Sequence, residues 1–164
     1  MMKGAYLTLW DLNVITVRCC IADTLVRAGA AVTLASVEAG QLTVTCSRGV
    51  KIVADKPIET CEGQVWDLVV CPGGMPGAER LRDSAALTRI LTAQRSSGRW
   101  LAAICAAPAV VLHHHGLLGD AATCYPAPKF RDQLGGKLVA WEAPNPNPSP
   151  AASRTANKRA QVAR

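Results

Sequence analysis

Aromatic residues are scarce in this 164-residue chain, which has one Phe, two Tyr and four Trp. Its core must therefore be aliphatic, built mostly from Ala, Val and Leu, as suits buried parallel strands under closely packed helices. No apolar run approaches the roughly 18 residues of a membrane span. The opening residues also lack the basic-then-apolar layout of a secretory leader, because Asp11 and Asn13 interrupt it. Cytoplasm with no membrane partner is the expectation. No Cys-x-x-Cys pair occurs, so zinc-ligand spacing is missing and no metal is expected. The seven cysteines (19, 20, 46, 61, 71, 105 and 124) are odd in number, and a disulfide framework does not suit a cytosolic domain of this size. The net charge of +6 is also misleading. Arg154, Lys158, Arg159 and Arg164 carry four of those charges in the acid-free stretch 144–164, so the body is nearly balanced and no nucleic-acid surface follows.

What is present alternates between strand and helix patterns. Ala5 to Trp10 reads as a strand. Val14, Val17, Ile21 and Leu25 fall at helical spacing, closed by Gly29, and Ala31 to Val37 is a second strand. Such a unit requires parallel pairing and a right-handed crossover. Leu42–Cys46 and Val50–Val53 flank Ser47-Arg48-Gly49 as a β-hairpin or a bent strand pair. Trp66–Cys71 is a buried strand running into Pro72-Gly73-Gly74. A helix is predicted between Ala78 and Ser97, with Asp83 or Ser84 capping its main segment and Gln94 interrupting its apolar face. A strand from Trp100, a helix after Pro108, short strands at Ala121–Cys124 and Lys137–Trp141, and a turn or short helix at Pro126–Leu134 complete the pattern. The fold class is α/β, with a doubly wound, mostly parallel sheet and helices on both faces. One domain over 1–143 is expected, followed by a Pro/Asn-rich, then basic, disordered tail at 144–164.

The chemistry centres on Cys105. A strand that stops at a cysteine and turns at once into a helix sets its sulfur at the helix N-terminus, where backbone N–H groups favour thiolate. Pro108 in the first helical turn costs nothing there. This is a nucleophile elbow with sulfur in place of hydroxyl, and a buried core cysteine is the alternative. Gly73 and Gly74 follow a neighbouring strand at the same sheet edge, so their amides, with that of Ala106, could form an oxyanion hole. An ordinary tight turn is the alternative there. His113, His114 and His115 lie roughly 12–15 Å along the helix from Cys105 and read as helix-end residues. Arg48 sits in the hairpin turn, where an arginine is solvated or reaches the active edge of a partner subunit. The other cysteines read as structural.

Thr45-Cys-Ser-Arg-Gly-Val-Lys, the Trp66–Gly77 segment, Arg80-Leu-Arg-Asp-Ser-Ala, Ser97-Gly-Arg and Leu101-Ala-Ala-Ile-Cys-Ala-Ala-Pro together resemble the ThiJ/PfpI superfamily, in its deglycase and chaperone branch, from about residue 21 to 141. The resemblance implies a flavodoxin-like homodimer with no cofactor. It implies Cys105 as the reactive cysteine, oxyanion donors at Gly73, Gly74 and Ala106, and Arg48 near the site across the dimer interface. The implied activities are cofactor-free conversion of methylglyoxal to lactate, reversal of glyoxal adducts on protein or nucleotide, oxidation of the cysteine under peroxide, and chaperoning.

Two departures accompany the resemblance. The register of the family's cysteine-bonding glutamate holds Val17, with Asp11 the nearest acid, and Tyr125 stands where some members have histidine. After Trp141 the Pro/Asn stretch replaces the expected Gly-Pro-Gly-Thr turn and C-terminal helix, leaving an apolar strip uncovered. Both ends read as sequence out of frame around an in-frame middle. A redox-sensing stress protein acting through Cys105, or an inactive truncated family member, are therefore the alternatives to an enzyme.

Overall fold

The computed structural model describes residues 5–9, 15–46 and 49–139. Asp11, Arg48, the end of the last expected strand and the expected tail lie outside them. Five strands form one parallel sheet: β1 (Ala5–Leu9), β2 (Val32–Ser36), β5 (Lys56–Pro57), β6 (Leu68–Cys71) and β7 (Trp100–Ala103), in the order β5-β2-β1-β6-β7. β1 pairs Ala5 with Val32 on one side and with Leu68 on the other. β3 (Thr43–Thr45) and β4 (Lys51–Val53) form the expected antiparallel hairpin as a separate two-stranded sheet.

From β1 the chain crosses to β2 through α1 (Ile15–Arg27), and from β6 to β7 in the opposite direction through α2 (Gly77–Asp83) and α3 (Ala85–Ser96). Right-handed crossovers running in opposite directions set those helices on opposite faces, as the sequence pattern requires. The direction in which successive strands are added across the sheet switches between β1 and β6. In open α/β sheets, the crevice beyond the strand ends at such a switch point is where ligands bind.

The core is uneven. Val69 and Cys71 of the sheet pack with Leu81, Leu87, Leu91 and Val111, all fully sealed from solvent. The α1 positions Val17, Ile21 and Leu25 remain only half-buried.

The predicted helix at 78–97 is divided in two. Ser84 leaves the helical conformation at ψ 107°, and its hydroxyl accepts from the Leu87 N–H at 3.3 Å, capping α3. Gln94, the residue that interrupts the apolar face, is only 3% exposed. Its amide donates to the carbonyls of Trp66 (3.1 Å) and Trp100 (2.9 Å), satisfying acceptors at the starts of two strands.

Two expected strands near the C-terminal end are reduced. Ala121–Cys124 contributes a single parallel bridge, Ala122 to Leu138. Gly135–Lys137 is a 3-10 turn, with Gly135 at φ 49°, and it follows directly on α4 (Pro128–Leu134). Two adjacent glycines supply that turn and delay any extended segment to Leu138. None of the described helices is long and apolar enough to cross a membrane.

Candidate active site

β6 ends at Cys71 and β7 at Ala103, and the loops leaving them meet. The Ile104 N–H donates to the Cys71 carbonyl at 3.2 Å, carrying the parallel pairing one residue past β7. Cys105 then turns sharply at φ 62°, the only described residue other than glycine with a positive φ. A side chain there crowds its own backbone, so the position costs about 1–2 kcal/mol unless packing and function hold it. The chain at once enters a π-helical segment, Pro108–His113. Such wide turns recur at functional sites. Strand, left-handed residue and helix are the parts of a nucleophile elbow. Cys105 is half-buried and packs against the main core, whereas Ala106 and Ala107 are sealed inside it.

Gly73 lies against this elbow. A Cβ added to it would sit 2.6 Å from the Ala106 nitrogen, the Cys105 Cβ and the Ile104 carbonyl oxygen. Only glycine fits such an approach, and it sets the Gly73 backbone beside the first amide of the turn. Gly74 follows at φ 106°, with its carbonyl accepting from the Ala78 N–H at 2.7 Å to start α2. Three of the expected site residues, Cys105, Gly73 and Ala106, are therefore brought together, and Gly74 adjoins them. Arg48 lies outside the described residues.

The histidines are elsewhere, as their spacing predicts. His115 Nε2 lies 2.8 Å from the Arg82 carbonyl oxygen and 3.3 Å from Thr88 Oγ1, joining the end of the π-helical segment to α2 and α3. His113 and His114 line a separate cleft of about 290 Å3 with Met75, Arg82 and Lys129.

Two further cysteines flank the elbow. Cys71 is fully buried, and desolvation pushes its thiol up to about 12, so it stays protonated. Cys124 lies on the segment after the histidines, beside Tyr125, whose N–H donates to the Cys105 carbonyl at 2.8 Å. Burial holds the Cys124 thiol above the usual range; Arg131 opposes the shift and the charge of Cys105 adds to it. The nearness of Cys124 to the site is the feature that sequence reasoning misses. The signal was a cysteine at the end of a short strand expected in the same sheet.

Among the described residues no carboxylate is hydrogen-bonded to the Cys105 sulfur, and Val17 is half-buried on α1. No described group of three or more His, Cys, Asp or Glu side chains gathers to hold a metal ion.

Residues 18–146 match the DJ-1/PfpI family. The chain is 40% identical over 134 residues to DJ-1 homolog B of Arabidopsis thaliana, covering 74% of this chain and 30% of that one. It is 34% identical over 116 residues to a Caenorhabditis elegans protein named as a glutathione-independent glyoxalase, covering 70% of this chain and 59% of that one. The structure aligns with oxidized DJ-1 of Toxoplasma gondii at a TM-score of 0.79 and 45% identity, covering 85% of this chain and 75% of that one. The chain thus spans 30% to 59% of the length of these curated relatives.

Proposed function

The chain belongs to the DJ-1/PfpI family, and on that premise we propose that it is a cofactor-independent cysteine enzyme acting on methylglyoxal, glyoxal or their early adducts on protein and nucleotide. The observation that carries this reading is the left-handed turn of Cys105 with Gly73 pressed against it. An energetically costly backbone holds a half-buried sulfur at the carboxyl edge of a parallel sheet, beside a glycine backbone. The relative named as a glyoxalase supports the reaction class.

In this reading the Cys105 thiolate adds to the aldehyde carbon, and the resulting alkoxide is stabilised by the amides of Gly73, Gly74 and Ala106. Transfer of a proton from the former aldehyde carbon to its neighbour gives a thioester of lactate, and water releases lactate and the free thiol. With Val17 at the register expected for glutamate, the proton transfers are assigned to solvent, which implies a low kcat. In this reading the protein works as a cytoplasmic homodimer, with the β3–β4 hairpin supplying the contact and Arg48 the residue expected near the partner's site. Val50 and Val53 on that hairpin are 46% and 64% exposed, a surface suited to burial against a second copy.

The test compares the purified chain with Cys105→Ser for loss of methylglyoxal and formation of lactate. Lactate formation that disappears in the variant supports the proposal. Equal rates in both, or none in the folded wild type, overturn it. A second reading, a redox sensor whose output is oxidised Cys105, draws on the relative solved in an oxidized form. It predicts selective oxidation of Cys105 by peroxide without turnover.

A further inference from the structure

We propose that Cys124 is the resolving thiol of Cys105, closing an intrachain disulfide after Cys105 has reacted with a hydroperoxide. The proposal rests on Cys105 being the reactive thiol of the reading above, but not on any glyoxal chemistry.

The backbone supplies the geometry. The hydrogen bond from the Tyr125 N–H to the Cys105 carbonyl, at 2.8 Å, joins the peptide immediately after Cys124 to that of Cys105. Standard half-peptides on either side of that bond hold the two Cα atoms within about 7.5 Å, and closer to 5 Å if the segments run side by side. Disulfides span Cα separations of about 4.4–6.8 Å. Both side chains pack against the main core, and both are half-buried, so neither is sealed off nor loose in solvent. The other five differ: Cys46, Cys61 and Cys71 are buried, and Cys19 and Cys20 are exposed on α1.

The electrostatics give the order of events. Desolvation keeps Cys124 protonated at rest, and a negative charge on Cys105 raises it further while Arg131 pulls it down. Cys124 is therefore a poor first target for peroxide. The Cys105 thiolate attacks one oxygen of the hydroperoxide and the O–O bond breaks. The leaving alkoxide or hydroxide takes the electron pair, and Cys105 becomes a neutral sulfenic acid, oxidised by two electrons. That step removes the charge opposing ionisation of Cys124, while the pull of Arg131 remains. Cys124 loses its proton and attacks the Cys105 sulfur. Hydroxide departs with the sulfenic oxygen and collects that proton as water. Two thiols and one hydroperoxide have become a disulfide, an alcohol or water, and water.

The test treats wild type, Cys124→Ser and Cys105→Ser with a several-fold molar excess of hydrogen peroxide, traps free thiols by alkylation and measures masses without reductant. Trypsin leaves both cysteines in one peptide, 100–129, because no Lys or Arg falls between them, so cleavage at Asp120 is used to separate them. The expected wild-type product has lost two hydrogens and yields Cys105 and Cys124 fragments linked in one mass, separated by dithiothreitol. In Cys124→Ser, Cys105 instead gains two oxygens that dithiothreitol does not remove. Wild type carrying two oxygens on Cys105 with Cys124 alkylated overturns the inference but leaves Cys105 as the reactive thiol. An unmodified Cys105 overturns both. The linked mass requires no turnover, so a chain that forms it but makes no lactate refutes only the glyoxal reading.

Discussion

Gly73→Ala tests the packing on which the site depends. The added methyl would meet the Ala106 nitrogen, the Cys105 Cβ and the Ile104 oxygen, each at 2.6 Å. Ordinary contact between such atoms begins near about 3.5 Å, so three approaches are each too short by roughly 0.9 Å. Two of the three partners are backbone atoms and the third is the Cβ of a residue held at φ 62°, so no flexible side chain can give way. Either the Pro72–Gly74 loop or the elbow must move by most of an ångström. Overpacking of this kind costs about 1–3 kcal/mol, a fall in melting temperature of roughly 2–10 °C for a domain of this size. A displacement near 1 Å at a reacting group lowers turnover about 100-fold. Calorimetry and lactate formation measure the two effects. Gly136→Ala is the control, since nothing lies within 4 Å of its added Cβ. If Gly73→Ala melts with wild type and keeps its kcat/KM within about threefold, the close approach does not hold the elbow and the argument fails.

Other expectations concern the scaffold. Ser84→Ala removes the cap of α3 and should cost about 1 kcal/mol in urea unfolding, whereas Ser84→Asp should retain most of it. Gln94→Leu removes the amide that now donates to the carbonyls of Trp66 and Trp100; a loss of about 1–2 kcal/mol is expected, and an unchanged midpoint would show that these two bonds carry no net stability. Cys71 titrates near 9.0 when unfolded and about 12 when folded, so the native state keeps a proton that the unfolded state releases. Stability should therefore fall as pH rises from about 9 towards 12, by up to about 1.4 kcal/mol per unit. Cys71→Ala should remove that part of the slope, and an identical slope in the variant would refute the assignment.

The strand and helix periodicities made the architecture legible, because a parallel sheet buried on both faces needs long apolar strands and its crossovers need amphipathic helices. β1, α1, β2, the hairpin, β6 and β7 all form where the pattern puts them. Gln94 was legible only as a fault in an apolar face. Periodicity records which face a residue occupies and says nothing of carbonyls arriving from other strands. The two-residue β5 is too short to leave a pattern, and its pairing with Ala35 and Ser36 comes from the path of the chain. The start of the last expected strand was misplaced, because Gly135 and Gly136 decide the local backbone and hold Lys137 in a 3-10 turn, so that pairing begins at Leu138. In the site, Cys105 and Gly73 were legible because strand-to-helix and strand-to-glycine junctions have local signatures. Cys124 was not, since its relation to Cys105 depends on one hydrogen bond between segments some 20 residues apart.

The φ of 62° at Cys105 also bears on the chain's history. Glycine occupies such a conformation without penalty, and every cysteine codon becomes a glycine codon by one base change in its first position. A chain that no longer needed a thiol here could gain stability through a single base substitution. Cys105→Gly would therefore relieve the backbone while removing the thiol, so the two contributions of this residue can be separated.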